Sequence, residues 1–281
     1  MTAVKKILSL LLCGAISVLS ACGGDSGNAA ETVSVTEQSI EETKPETEEV
    51  TTEVTTVTRP ERPELTKDMK LIALTFDDGP NITTTNAVID KLEKYEIVAS
   101  FFVIGDNITG SATEGSGRVM KRAYDLGCEI HNHSKTHSDM TKMTAEDIIA
   151  ELEYTSDKVE EITGEPTSFF RPPYIAVNDT MFESTEMPFI AGVGANDWMD
   201  TVSAEDRAQK ILEQSRDGGI ILLHDAQGNS KTVDALDIII PSLLDEGYTF
   251  VTMSELFEAK EITPADGIIY SNTDQTTMYG S

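Results

Sequence analysis

After an N-terminal quarter without regular periodicity, short apolar runs alternate with segments whose apolar positions recur at helical spacing. The runs at 71–76, 97–104 and 219–223 are almost continuously apolar, which is typical of strands buried on both faces. Residues 84–96 and 143–163 instead place apolar side chains three or four positions apart, as helices with one buried face do. Further strands are predicted at 128–130, 189–193 and 248–252.

The alternation of strands and helices predicts an α/β fold, with a mostly parallel sheet or barrel and the helices outside it. Thr144 and Ser203 are suitable N-caps, each followed by acids in the first helical turn. Another helix is predicted at 232–246, where Pro241 should kink or split it, and residues 111–117 are predicted as a Gly/Ser-rich loop. In such folds the functional residues follow the carboxyl ends of strands, so the chemistry is expected there.

The first residues have the pattern of a bacterial lipoprotein signal peptide, predicted to span 1–21. Lys5 and Lys6 precede an apolar stretch at 7–19, which is shorter than the ~20 residues that a membrane span needs. The Leu-Ser-Ala-Cys quartet that ends at Cys22 resembles a lipobox. That resemblance implies a lipidated cysteine anchored in the bacterial cell membrane, with the rest of the chain outside the cytoplasm. An ordinary cleaved signal peptide and a short buried helix are the alternatives.

Residues 22–68 differ in composition from the rest of the chain, because they are rich in Thr, Glu, Val and Pro and show neither strand nor helix periodicity. Such a segment buries too little apolar surface to offset its chain entropy. We therefore predict a disordered spacer after the lipidated cysteine, with short β-prone strands as the alternative. The folded domain is expected at 69–265, and the polar residues 266–281 are expected to be loose.

Charge and cysteine content exclude two classes of protein. The 49 acids against 21 bases give a formal net charge of −28, which disfavours binding to a phosphate backbone and so predicts no nucleic-acid partner. Three cysteines cannot build a disulfide framework, and only Cys128 lies beyond the first 22 residues. No feature of the sequence implies an obligate protein partner.

Carboxylates and imidazoles gather after two of the predicted strands. Asp77 and Asp78 follow the first strand, and three of the four histidines lie within 131–137. His133 and His137 are four positions apart, which lets both rings face one metal ion on a helical turn or in a compact loop. Two imidazoles and one carboxylate suit Zn²⁺ first, and Co²⁺, Ni²⁺ and Fe²⁺ share that preference. The alternatives are a solvated, Asp-rich turn and a polar loop with incidental histidines.

Three later strand ends carry further polar or aromatic residues. Arg171 is followed by two prolines that fix the backbone, and arginine is the natural partner of a carboxylate that must stay ionised. Asp197 and Trp198 follow another strand, and core packing is the alternative for this single tryptophan. His224 ends a further strand, where a lone histidine is more often structural than catalytic.

These five segments, in this order, resemble the polysaccharide deacetylases with a NodB-homology domain, the family-four carbohydrate esterases. The Thr-Phe-Asp-Asp-Gly-Pro, His-Ser-x-x-His and Arg-Pro-Pro-Tyr motifs are jointly very specific, and the resemblance spans about residues 69–255. It implies a distorted (β/α) barrel that forms a single catalytic domain after the linker. It also implies metal-dependent hydrolysis of an N-acetyl, sometimes O-acetyl, group on an acetylated glycan polymer.

The resemblance implies catalytic roles for the motif residues. The divalent metal would be held by three side chains, namely Asp78, His133 and His137. Asp77 would be the general base acting on water, and Arg171 would hold it ionised and oriented. His224 would be the general acid that protonates the leaving group, with its pKa raised by Asp197.

The resemblance also implies how substrate is held. Trp198 and Leu222 would form the apolar pocket for the acetyl methyl group, and the backbone N–H of Tyr174 would help to stabilise the oxyanion. This sequence departs from the family at Ile175, where glycine is usual, and at Gly194, where an acid is usual. Both departures lie where substrate would meet the rim, so they bear on chain length and sugar preference.

The predicted location selects among substrates. An enzyme anchored on the bacterial envelope would meet N-acetylglucosamine units of peptidoglycan first, and these are the predicted substrate. Chitin-like polymers, poly-N-acetylglucosamine and O-acetylated xylan are the alternatives. A non-catalytic, glycan-binding envelope lipoprotein is the alternative of another class, although the base, the ligands and the acid are all present.

Overall fold

The computed structural model describes residues 64–275. The predicted signal peptide, Cys22 and most of the predicted spacer lie outside the described residues, as do the last six residues of the predicted tail. The strands are β1 (Leu71–Asp77), β2 (Ser100–Val103), β3 (Glu129–Asn132), β4 (Phe189–Ile190), β5 (Val193–Gly194), β6 (Gly219–His224), β7 (Thr249–Val251) and β8 (Ile269–Tyr270). The helices are α1 (Thr84–Lys94), α2 (Gly115–Asp125), α3 (Ala145–Thr163), α4 (Asp179–Glu183), α5 (Ala204–Gln214), α6 (Ser230–Asp245) and α7 (Met253–Ala259). None of these helices is long and apolar enough to cross a membrane.

The strands pair in parallel around β1. The main sheet has the order β3-β2-β1-β6-β5, and β7 pairs with the amino-terminal half of β1. Bridges through Phe170 connect Asn132 to Phe189, and β4 continues to β8, so the sheet curls round towards a barrel. The predicted α/β fold with a parallel sheet and a distorted (β/α) barrel is confirmed.

Side-chain alternation along β1 separates two cores. Ile72, Leu74 and Phe76 pack against the surrounding helices, whereas Leu71 and Ala73 face the barrel interior. Alternate residues of a strand point to opposite faces, so the side chain of Asp77 continues the interior row at the carboxyl end of β1. The pattern of the central strand therefore directs a carboxylate into the mouth of the barrel.

The predicted helix starts are found, and of the predicted kink or split at Pro241 the split is not. Thr144 accepts a hydrogen bond from the Asp147 backbone N–H, and Ser203 caps α5 in the same way. Helix α6 runs without a break through Pro241, so the predicted split is wrong. Its apolar face is fully buried against α1 and α5, and this packing outweighs the one backbone hydrogen bond that proline cannot make.

Several boundaries differ from the prediction. The Gly/Ser-rich residues 111–117 already contain the start of α2, which forms because Val119, Met120 and Ala123 bury its inner face. The predicted strand at 189–193 is two strands, β4 and β5, separated where Gly192 adopts φ 124°. β2 is shorter than its apolar run, because only Ser100–Val103 pairs with its neighbours.

The C-terminal residues do not all form a loose tail. β8 pairs with β4, and Ile268 and Tyr270 are buried in the interior core beside Phe257. The prediction that 266–281 is loose is therefore wrong for these described residues. Their apolar side chains fill the interior of the barrel, although the average composition of residues 266–281 is polar.

Candidate active site

Parallel strand ends gather the candidate residues at one mouth of the barrel. Asp77 and His224 are register partners on β1 and β6, and His133 directly follows β3. The loop after Phe170 brings Arg171 to the same edge, since its backbone N–H donates to the carbonyl of Asn132. Residues far apart in sequence thus meet because they leave neighbouring strands at the same level.

Asp78, His133 and His137 form a cluster with the geometry of a metal site. Their ligand atoms all lie within 4.8 Å of one another. The Oδ1 atom of Asp78 is 3.5 Å from Nε2 of His133 and 3.4 Å from Nε2 of His137. This oxygen is buried and makes no hydrogen bond, and such an atom is costly unless a cation faces it.

The protonation of the cluster also fits a divalent cation. Burial raises the pKa of the Asp78 carboxyl, but contact with His133 outweighs it and leaves that pKa below its usual value. Burial, and then the charge of His133, lower the pKa of His137, which leaves its ring neutral, as a ligand must be. The Nδ1–H of His133 donates to the Arg171 carbonyl at 2.6 Å, which directs Nε2 to the cluster. One oxygen and two nitrogen donors are shared by Zn²⁺, Co²⁺, Ni²⁺ and Fe²⁺ sites.

Backbone strain accompanies this cluster. Asp78 has φ 75° and His137 has φ 58°, both in the left-handed region that non-glycine residues rarely adopt. Gly79 follows Asp78, and a Cβ atom there would lie 2.4 Å from an Asp225 carboxylate oxygen. The turn after β1 therefore requires glycine at this position. Strain of this kind collects at functional sites.

Asp77 forms a buried ion pair beside the cluster. Nη1 of Arg171 donates to Oδ1 of Asp77 at 2.5 Å, and both side chains are almost fully buried. The guanidinium lies over the ring of Phe102, 4.1 Å from its centroid. The other carboxylate oxygen, Oδ2, is 3.8 Å from Nε2 of His133. Arg171 thus occupies one oxygen of Asp77 and leaves the other facing the cluster.

We expect Arg171→Met to lower the free energy of unfolding by about 3–5 kcal/mol, because it leaves the buried Asp77 carboxylate without a counter-charge. Urea unfolding measures the loss. Lys67→Met, which breaks the exposed pair with Glu261, is the control and should cost far less. A loss for Arg171→Met no larger than that of the control would show that the buried pair is not needed for stability.

His224 is paired with a second buried carboxylate, that of Asp197. Its Nδ1–H donates to Oδ1 of Asp197 at 2.7 Å, and its backbone N–H donates to Oδ2 at 2.8 Å. Burial disfavours the charged ring, but the hydrogen bond and charge of Asp197, with Asp77 and Asp78, outweigh it and raise the pKa of His224 to about 9. The ring is therefore protonated at neutral pH and can give up a proton from Nε2.

A network behind His224 was missed by sequence reasoning. The buried Arg207 donates to the Asn229 side-chain oxygen at 2.6 Å and to the Thr232 hydroxyl at 3.0 Å. The Thr232 hydroxyl in turn donates to Oδ2 of Asp197 at 2.7 Å, and Asn229 donates to the His224 carbonyl at 2.9 Å. No motif marks these residues, since Arg207 lies among ordinary charged residues of α5.

Asp225 is a further residue that sequence reasoning did not identify, although it directly follows His224. Its carboxyl is fully buried and accepts a hydrogen bond from the Thr85 hydroxyl, while Oδ1 has no partner. Burial and the nearby charges of Asp78 and Asp77 raise its pKa to about 7. The sequence signal that could have identified Asp225 is its position directly after a strand-end histidine.

Aromatic side chains pack against two of the site histidines. The ring of Tyr174 packs edge-on against His137, with 4.8 Å between centroids, and the ring of Trp198 packs likewise against His224 at 5.4 Å. Both rings are open to solvent, at 68% and 59% exposed, so core packing does not explain Trp198. Leu222 lies on β6 two residues before His224, on the same strand face, and is buried.

His131 is not part of the cluster. It lies deeper in the barrel between the rings of Phe102 and Phe169, and its Nε2 is 3.0 Å from a Glu129 carboxylate oxygen. Cys128 is buried in the outer core. The structure therefore groups all seven predicted polar site residues at one mouth of the barrel, namely Asp77, Asp78, His133, His137, Arg171, Asp197 and His224, and places His131 outside the cluster.

Sequence comparisons identify relatives over about seven tenths of the chain. A family model described as polysaccharide deacetylase matches residues 64–187. The chain is 49% identical over 199 residues to a bifunctional xylanase/deacetylase of Pseudobutyrivibrio xylanivorans, covering 71% of this chain and 32% of that protein. It is 35% identical over 202 residues to the peptidoglycan-N-acetylglucosamine deacetylase PgdA of Listeria monocytogenes, covering 72% of this chain and 41% of that protein. The chain thus spans well under half the length of these two relatives.

Two solved structures with the same fold match this chain over nearly their own full length. The Xyl-CE4 domain of a multidomain xylanase from the hindgut metagenome of Trinervitermes trinervoides matches with a TM-score of 0.71 and 48% identity, over 74% of this chain and 99% of that one. A family 4 acetyl xylan esterase from Clostridium thermocellum, in complex with a cobalt ion, matches with a TM-score of 0.69 and 39% identity, over 73% and 100%.

Proposed function

The chain belongs to the polysaccharide deacetylase family, and from that premise we propose how its site removes acetyl groups from a glycan and which polymer it acts on. The proposal is carried by one observation. The buried Asp77–Arg171 pair and the His224–Asp197 pair lie at neighbouring strand ends, beside a cluster of one carboxylate and two imidazoles. Two such pairs can take one proton and give another at a single acyl carbon.

Three side chains would hold the catalytic cation, namely Asp78, His133 and His137. A divalent cation bound there would supply Lewis-acid chemistry, which polarises an acyl carbonyl and makes water more acidic. Asp77 accepts the proton of the attacking water at Oδ2, because Arg171 occupies Oδ1 and leaves Oδ2 facing the cluster.

The general acid makes the second proton transfer, which completes the reaction. As the bond between the acetyl carbon and the sugar nitrogen or oxygen breaks, His224 donates its Nε2 proton to the departing atom, and acetate leaves with the oxygen of water. Asp197 holds the ring by Nδ1 and stabilises its charge. Trp198 and Leu222 would enclose the acetyl methyl group, and the backbone N–H of Tyr174 would donate to the developing oxyanion.

The acid role predicts an alkaline limit of activity. Because the pKa of His224 is raised to about 9, the ring is protonated below that pH, and kcat/KM should fall as pH rises through about 9. Asp197→Asn removes the charge that raises this pKa, so the alkaline limb of the profile should move down by more than about one pH unit. Profiles of kcat/KM against pH measure the shift. The exposed Asp157→Asn is the control, and an unmoved limb in Asp197→Asn would contradict the role of His224.

Acetylated xylan is the first substrate we propose. It is supported by the xylan-related names of the relatives at 49% and 48% identity. N-acetylglucosamine units of peptidoglycan, which the predicted location favours, are the second candidate and are supported by the relative at 35% identity.

Acetate release by the full chain tests both substrates, with Co²⁺ or Zn²⁺ added to acetylated xylan, N-acetylglucosamine oligomers and peptidoglycan. We expect kcat/KM on xylan to exceed that on the others by about tenfold or more, which is the scale of one well-made binding contact. The reverse order would assign the enzyme to peptidoglycan or a chitin-like polymer. No acetate from any of the three would overturn the proposed activity and favour a glycan-binding lipoprotein.

We further propose that the domain is tethered outside the cytoplasm to the bacterial cell membrane through lipidated Cys22. The support is the sequence pattern of residues 1–22 alone. Cys22→Ala should abolish incorporation of labelled fatty acid and move the protein out of the membrane fraction. Retention of the label in that variant would exclude Cys22 as the lipidated residue. Neither a nucleic acid nor an obligate protein partner forms part of the proposal.

A further inference from the structure

Ile175 holds a backbone conformation that suits glycine. Its φ is 55°, and Tyr174 before it has φ 61°. In this left-handed region the Cβ atom crowds the backbone, and for a β-branched residue the conformation is a genuine outlier. Glycine would adopt it without strain. The chain therefore keeps an isoleucine where its own backbone disfavours one.

Burial does not account for that choice, because Ile175 is 37% exposed. Ten large apolar side chains are exposed among residues 64–275, and five of them lie within four positions of Asp78, Arg171 or Asp197. We call these five residues the apolar rim, namely Ile82, Tyr174, Ile175, Trp198 and Met199. Two of them pack against site histidines, Tyr174 against His137 and Trp198 against His224. Exposed apolar side chains next to site residues mark a surface that another molecule covers.

The position of Ile175 in this rim is fixed. Its backbone N–H donates to the Pro172 carbonyl at 3.0 Å, and Pro173 is buried. The preceding Tyr174 packs against His137 of the cluster. The strained turn therefore presents Ile175 from a rigid loop beside the ring that packs against His137.

We propose that Ile175 is a specificity-determining residue, whose side chain packs on the C–H face of a pyranose unit next to the one that carries the acetyl group. The inference rests on the proposed function and adds to it that the site prefers an extended glycan to a lone acetylated sugar. A strained conformation kept at a site is evidence for a role there. A β-linked pyranose offers flat faces of C–H groups, which match an aliphatic side chain that is otherwise left in water.

A matched pair of variants tests this role. Ile175→Asn tolerates the left-handed conformation and removes the apolar contact. Ile149→Asn makes the same change at an isoleucine of α3 that is 38% exposed and lies away from the rim. Ile175→Asn should raise KM for five-sugar acetylated oligomers of xylose or glucosamine about tenfold, with a smaller change for two-sugar substrates. Its Tm should stay or rise by up to about 4 °C. Ile149→Asn should leave KM unchanged.

Binding without turnover separates this inference from the proposed function. The fluorescence of Trp198, the only tryptophan of the chain, reports titrations with xylopentaose and with the glucosamine pentamer. Ile175→Asn should weaken the binding of the preferred pentamer about tenfold. Unchanged binding and KM together with a lower Tm would overturn the inference and make Ile175 a packing residue. A wild type that binds but releases no acetate would instead overturn the proposed activity.

Discussion

Replacing Asp77 with asparagine should lower kcat by about 10²–10⁴-fold while the cation stays bound. The amide can still accept the Arg171 hydrogen bond, but it cannot take a proton from water, and a positioned base contributes on this order to the rate. Asp78, His133 and His137 are unchanged in this variant, so the cation site is kept. Acetate release measures kcat, and calorimetric titration with Zn²⁺ or Co²⁺ measures cation affinity.

Stability must be followed in the same variant, because asparagine leaves the buried Arg171 without its counter-charge. Urea unfolding shows whether the protein remains folded under the assay conditions. Asp237→Asn breaks an ion pair between α1 and α6, away from the site, and should keep full activity. A kcat above about a tenth of the wild-type value in Asp77→Asn would exclude this residue as the base.

Replacing His137 with alanine should remove both the cation and the activity. Changing a residue that only supports a ligand already costs about 10–100-fold in affinity, so losing a ligand should cost at least about 100-fold. At equimolar metal the variant should be almost inactive, and excess metal should restore part of the rate. Asp77→Asn should not respond to excess metal, which distinguishes the two roles.

His131→Asn is the matched control for this experiment, because His131 is paired with Glu129 and lies outside the cluster. It should keep the affinity of the wild type for the cation. Full cation occupancy in His137→Ala would show that the proposed ligand set is wrong. Equal loss in both variants would point to a fold defect, which urea unfolding would reveal.

The residues that converge at the barrel mouth could be predicted because they follow strands. Asp77, Asp78, His133 and His224 each stand at a recognisable apolar run or directly after one, and parallel strands end at one edge of a sheet. Their meeting therefore follows from periodicity once the strands are parallel. His137 joins them through its spacing from His133.

The residues that support the site could not be predicted in this way. Thr232 donates to Asp197, and Arg207 donates to Asn229 and Thr232, only because α5 and α6 pack together. No local pattern encodes those contacts. Pro241 shows that local patterns can also mislead. Local propensity predicts a break in the helix there, and the tertiary burial of α6 overrides it. The substrate is also left open, because the catalytic residues fit an ester or an amide equally well.

The position of Asp77 on β1 has a consequence for motion. β1 is the central strand, flanked by β6 on one edge and by β2 and β7 on the other, so its amides should open only in rare, near-global unfolding. In native-state hydrogen exchange the amide of Phe76 should be among the slowest, while that of the exposed Met199, in the loop after β5, exchanges early. The Met199 part of the rim would then adjust to different sugars on a fast timescale while the proton acceptor on β1 stays in register.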